Sequence, residues 1–119
     1  MNVVDSSAWL EYLAGTDRAE LFAEAIEDTA RLIVPAISIY EVYKKVFREK
    51  GEDMAAQVLG LMSLGNIVEL DAALALEAAR HPLPMADSII YATALRHDAT
   101  LWTQDAHFNG IKGVRYFGK

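Results

Sequence analysis

No cysteine occurs in this chain of 119 residues, so disulfide staples, thiolate metal sites and cysteine nucleophiles are excluded together. Proline occurs 3 times and glycine 7, too sparsely for a linker or a low-complexity tract, and no internal repeat divides the sequence. No stretch comes near the roughly 18 apolar residues that a membrane span requires. The opening Met1-Asn2-Val3-Val4-Asp5 lacks the basic start and long apolar run of a signal peptide. Positive charge is in the minority, with 11 Lys and Arg against 17 Asp and Glu. The resulting net charge of -6 argues against tight unspecific binding to DNA or RNA, which calls for a basic face. An acidic cluster for cations, a local basic patch or a basic partner protein all remain open. With 53% apolar and 24% charged residues, the chain is expected to fold as a single cytoplasmic domain over residues 1–119.

What is present is an alternation of short β-rich runs with helical stretches. Asn2-Val3-Val4, Leu32-Ile33-Val34, Asn66 to Leu70 and Thr100 to Thr103 read as strands, with Val114 to Phe117 as a fifth. Ser6 or Ser7 starts a first helix, closed by Ala14-Gly15. Thr16 and Asp17 offer N-caps for a second, whose apolar face carries Leu21, Phe22, Ala25 and Ile26. Ser38 opens a third helix with Val42, Val46 and Phe47 inward, and Asp53 to Leu64 forms a fourth. Asp71 caps a fifth running to about Arg80, and Pro84 suits the first position of a sixth. Strands separated by helices require crossover connections. The expected class is therefore α/β: a three-layer α/β/α sandwich around a central, mostly parallel sheet of four to five strands.

Ligands of such a sheet bind at the carboxyl ends of its strands, so the residues just beyond each strand carry the most information. Asp5 follows the first strand and Asp105 the fourth. Glu41 falls in the first turn of the helix entered from the second strand, and Asp87 in the first turn of the helix leading into the fourth. Each has a plain structural explanation. Asp5 can cap its helix, Ser38 to Glu41 fits a capping box, Asp87 complements a helix dipole, and Asp105 suits an Asx-turn. Together they are harder to explain so, because two unit charges about 4 Å apart repel by roughly 4 kcal/mol at an effective dielectric near 20. Hard oxygen donors without cysteine suit Mg²⁺ or Mn²⁺. Such ions activate water and stabilise charge on a phosphoryl group, so metal-dependent phosphodiester hydrolysis is the expected chemistry.

The blocks around these acids carry a family resemblance. Val3-Val4-Asp5-Ser6-Ser7, Ser38-Ile39-Tyr40-Glu41, Met85 to Ala94 (MADSIIYATA) and Leu101 to Phe108 (LWTQDAHF) resemble, in order and spacing, the PIN-domain proteins. The likeness is nearest to the VapC-type toxins of bacterial and archaeal toxin–antitoxin pairs, and it runs essentially end to end. It implies a Mg²⁺- or Mn²⁺-dependent endoribonuclease acting on RNA, a homodimer, and inhibition by a cognate antitoxin protein. The family's acidic quartet falls on Asp5, Glu41, Asp87 and Asp105, its hydroxyl before the last acid on Thr103, and its polar position after the first acid on Ser6. Asp5 and Asp87 are then the principal metal ligands, with Glu41 and Asp105 completing the site directly or through waters. Thr103 and Ser6 orient those ligands. Two positions depart from the family: Ser88 replaces the usual alanine after the third acid, and His107 stands where some members add a further acid.

Other features read more plainly. Trp9, Trp102, Met62 and Phe47 are expected in the core. His81, His97 and His107 lack metal-ligand spacing and stay outside the expected site. Lys44, Lys45, Arg48 and Lys50 crowd one helix end, as a solvated face or as a guide for RNA phosphates. The apolar surplus on Asp53 to Leu64 and at Ile39, Tyr40 and Tyr43 marks a surface for a second copy or an antitoxin helix. The alternative to catalysis is a PIN-like binding module that acts through protein partners. A receiver domain would want an acidic pair after the first strand and a late lysine, and a haloacid-dehalogenase-type phosphatase would want Asp-x-Asp there. Ser6 and Ser7 stand at those places instead.

Overall fold

Alternation along three short strands decides the architecture. In the computed structural model, which describes residues 1–119, β1 (Asn2–Val4), β2 (Leu32–Pro35) and β4 (Thr100–Thr103) carry buried side chains on both faces. Val4, Leu32, Val34 and Trp102 point to one side, and Val3, Ile33 and Leu101 to the other. A strand apolar on both faces needs a helical layer on each. With β3 (Asn66–Val68) and β5 (Val114–Tyr116) at the edges, the sheet has five strands in the order β3-β2-β1-β4-β5, every neighbouring pair parallel. The expected three-layer α/β class holds.

The larger layer comprises α1 (Ser6–Ala14), α2 (Glu20–Glu27), α3 (Ala36–Lys50) and α4 (Glu52–Met62). They pack Trp9, Phe22, Ile26, Val42, Val46, Val58 and Met62 against the Val4–Trp102 side. On the opposite side lies α6 (Met85–Arg96), with Ile90, Tyr91 and Ala94 on the sheet, and α5 (Ala72–Ala78) joins it through Leu74 and Ala78. Asp71 caps α5 as expected, its carboxylate accepting the Leu74 amide at 2.8 Å.

Several sequence expectations are displaced by tertiary contacts. The second helix starts at Glu20, not behind a Thr16 or Asp17 cap, and Ala19 gives it no side-chain cap. Arg18 is held instead by Gln104 Oε1 at 2.8 Å and by the Phe117 carbonyl at 2.8 Å, which keeps the preceding residues in turns. The third helix starts at Ala36 behind Pro35, so Ser38 lies inside it, fully buried and without a hydrogen-bond partner for its hydroxyl. Phe47 is not in the core: it is 48% exposed and stacks on Tyr43, ring centroids 6.0 Å apart. Val42 and Val46 hold the inward line, and a residue one step on is turned by about 100°. Trp9, Trp102 and Met62 are buried as expected.

Gly65 joins α4 to β3 where backbone passes close to backbone. A Cβ there would lie 2.9 Å from Val34 Cγ2 and 3.1 Å from the Leu32 carbonyl oxygen. Gly65→Ala is expected to destabilise the protein by about 1–3 kcal/mol, because the second contact is with main chain that cannot swing away. Urea denaturation measures this, and an unchanged midpoint would refute it.

Candidate active site

The order of the strands creates the site. The chain runs from β1 outward to β2 and β3 on one side and to β4 and β5 on the other, so β1 and β4 flank the switch point of the sheet. Asp5 leaves β1 at that edge. It is 2% exposed and caps α1, its Oδ1 accepting the Ala8 amide at 3.0 Å and the Ser7 hydroxyl at 3.1 Å. Its Oδ2 accepts the Thr103 hydroxyl at 2.7 Å, and the Thr103 oxygen in turn accepts the Asp105 amide at 2.9 Å. One buried hydroxyl thus ties the acid after β1 to the main chain of the acid after β4. The capping explanation of Asp5 holds and does not compete with a role at the sheet edge.

Asp105 accepts the His107 amide on Oδ1 at 2.9 Å, the local turn expected for it, and opens the single helical turn Ala106–Phe108. Asp87 stands in the first turn of α6. Glu41 departs from expectation, because α3 begins early and has no acidic residue in its first turn. Its carboxylate does not close a capping box on Ser38. It accepts the Ser6 hydroxyl at 2.6 Å, across the gap between α1 and α3. Asp5, Ser6, Glu41, Asp87 and Asp105 line one open cleft of about 450 Å³, and Lys44, Lys45 and Arg48 of α3 line it too.

The electrostatics follow from burial and crowding. Burial pushes the Asp5 carboxyl up from an ordinary 3.8 to about 6; the hydrogen bonds from Thr103, Ala8 and Ser7 oppose this, and the Asp105 charge adds to it. The Asp87 carboxyl is also raised, first by burial and then by Asp105, with Glu41 contributing and His107 acting in the opposite sense. The acids therefore feel one another across the cleft.

His107, which the sequence reading leaves outside the expected site, joins the cluster. His107 Nδ1 lies 3.0 Å from Asp87 Oδ2 and 3.1 Å from Asp105 Oδ1. The three side chains bring possible ligand atoms within 4.8 Å of one another. The available signal is the interval of two from Asp105, since a tight turn there folds the ring back over the acid it follows.

Comparison with known proteins places the chain in a family. The sequence model of the PIN domain family matches residues 3–114. The chain belongs to the PIN domain family. Among solved structures, a toxin–antitoxin complex from Klebsiella pneumoniae has a chain that superposes with a TM-score of 0.82 at 23% identity, covering 100% of both chains. VapC20 of Mycobacterium tuberculosis, described as a sarcin–ricin loop cleaving toxin, gives a TM-score of 0.74 at 14% identity, covering 94% of this chain and 95% of its own. FitAcB of Neisseria gonorrhoeae gives 0.72 at 21% identity, covering 99% and 97%. No curated protein sequence matches the chain. No helix of this PIN domain is long and apolar enough to cross a membrane.

The donor set of the PIN domain fits a hard divalent cation. Its carboxylates converge from four separate elements, and two of them have raised pKa values that nearby positive charge would lower. The buried Asp5 carboxylate also costs stability in metal-free protein. An acid raised from 3.8 to about 6 in the folded state favours folding when protonated and loses that advantage as pH rises through the interval, about 3 kcal/mol in all at roughly 1.4 kcal/mol per unit. In chelator, the stability of Asp5→Asn relative to the parent is therefore expected to rise with pH between about 4 and about 7, on top of a constant cost for the acceptor that the amide takes from Thr103. Paired urea denaturation curves across that range measure it, and a pH-independent difference would refute the burial argument.

Proposed function

We propose that the chain is a Mg²⁺- or Mn²⁺-dependent endoribonuclease that hydrolyses RNA phosphodiester bonds, acting in the cytoplasm as the toxin of a toxin–antitoxin pair. The observation that carries this function is the meeting of Asp5, Glu41, Asp87 and Asp105 in a single cleft beside Lys44, Lys45 and Arg48. Asp5 and Asp87 hold the cation, and Glu41 and Asp105 complete its surroundings directly or through water. Thr103 fixes Asp5, and Ser6 fixes Glu41, through the hydroxyl donors described above. When bound, a divalent cation supplies charge stabilisation for the phosphoryl group and lowers the pKa of water at the site. The three cations on α3 neutralise flanking phosphates, which reconciles a chain of net charge -6 with a polyanionic substrate.

A groove of about 550 Å³ beside the cleft, lined by Ile39, Tyr40, Tyr43, Phe47 and Leu59, supports protein partners. A cognate antitoxin and a second copy of the chain, forming a homodimer, are its proposed occupants. The fold is shared with proteins described as members of toxin–antitoxin complexes.

Total cellular RNA incubated with the protein and Mg²⁺ or Mn²⁺ is expected to gain new 5′ ends at a few defined sites. These ends should be absent with chelator and with the Asp5→Asn, Asp87→Asn double variant. No new ends from a folded, metal-binding protein would overturn catalysis in favour of a binding module. In the same cleavage-disabled background, Lys44→Glu with Arg48→Glu should weaken RNA binding and reduce the salt slope by roughly 0.7 per lost phosphate contact. Fluorescence anisotropy at several salt concentrations measures both, and an unchanged slope would remove these residues from the RNA path.

A further inference from the structure

Every donor at the acid cluster is an oxygen except the imidazole of His107. Its ring is 58% exposed, yet Nδ1 is turned onto two carboxylates at once, 3.0 Å from Asp87 and 3.1 Å from Asp105. The main chain enforces this placement, because the His107 amide is itself bound by Asp105 Oδ1 at 2.9 Å. Neighbouring ligands of a six-coordinate ion with bonds near 2.1 Å stand roughly 3 Å apart, the spacing already present among these atoms. Relieving the hydrogen bonds to Asp87 and Asp105 requires only that the ring carry its proton on Nε2, which leaves the Nδ1 lone pair free.

We propose that His107 is a nitrogen ligand of the divalent cation of the proposed function, joining it from beside Asp87 and Asp105, so that this centre is a mixed carboxylate–imidazole site that prefers Mn²⁺ to Mg²⁺. The proposal rests on the metal-dependent function given above. Its physical basis is a borderline nitrogen donor set 3.0 Å and 3.1 Å from two hard carboxylate donors. Mg²⁺ is small, holds its waters and takes oxygen ligands, whereas imidazole suits transition-metal ions. Asp87 and Asp105 remain anionic oxygen donors to either ion, so the imidazole sets the preference rather than the presence of the site.

Pulsed electron paramagnetic resonance of the Mn²⁺-loaded protein reads this directly. The parent is expected to show nitrogen hyperfine coupling from one imidazole, lost in both His107→Asp and His107→Gln. Calorimetric titration with Mn²⁺ and with Mg²⁺ should show the ratio of the two affinities falling roughly tenfold in both variants. The glutamine variant excludes added negative charge as the cause, and His107 is exposed enough for either variant to fold, which circular dichroism checks. Mn²⁺ uptake without nitrogen coupling, coupling that survives in the variants, or an unchanged affinity ratio would overturn the assignment of His107 alone. A folded parent that takes up neither ion would overturn the metal-dependent function as well.

Discussion

A carboxylate with almost no access to solvent sits where β1, α1 and β4 meet, and the rest of the cleft is arranged around it. Asp5 accepts the first-turn amide of α1 and the hydroxyl of Thr103, so it joins a helix start to a neighbouring strand. Burial raises its pKa to about 6 despite those bonds, which marks the position as one where a charge is held at a cost. The same Thr103 oxygen receives the Asp105 amide, so the two strand ends at the switch point cannot separate without breaking both contacts. Pre-organisation of this kind holds the two acids in place.

Opposed charge is layered across the cleft. The acids stand at the sheet edge and on the first turn of α6, while Lys44, Lys45 and Arg48 extend along α3. Lys44 also bridges to the apolar side, donating to the Tyr40 hydroxyl at 3.1 Å. Tyr40 lines both the acidic cleft and the apolar groove, so one helix carries the boundary between the proposed substrate path and the proposed partner surface. An occupant of the groove would therefore sit within reach of the cleft.

Legibility in the sequence followed the range of the interactions. The three central strands are readable because both their faces are apolar, and the Asp71 cap because its partner is three residues away. α2 starts later than the local caps Thr16 and Asp17 suggest, because Arg18 is held by Gln104 and Phe117, far along the chain. Ser38 and Glu41 satisfied a local capping pattern that the fold does not use. Glu41 bonds instead to Ser6, 35 positions away. Apolar character alone points Phe47 inward, and only the packing of α3 on its neighbours turns it outward.

The sequence by itself determined the parallel α/β class and the convergence of four acids at one sheet edge. Strand ends in a parallel sheet share an edge by topology, whatever the packing details. Tertiary structure alone decided which hydroxyl holds each acid, how far burial raises Asp5, and that His107 meets Asp87 and Asp105. Those outcomes depend on distances of about 3 Å between residues on different elements, and only close packing sets distances of that size.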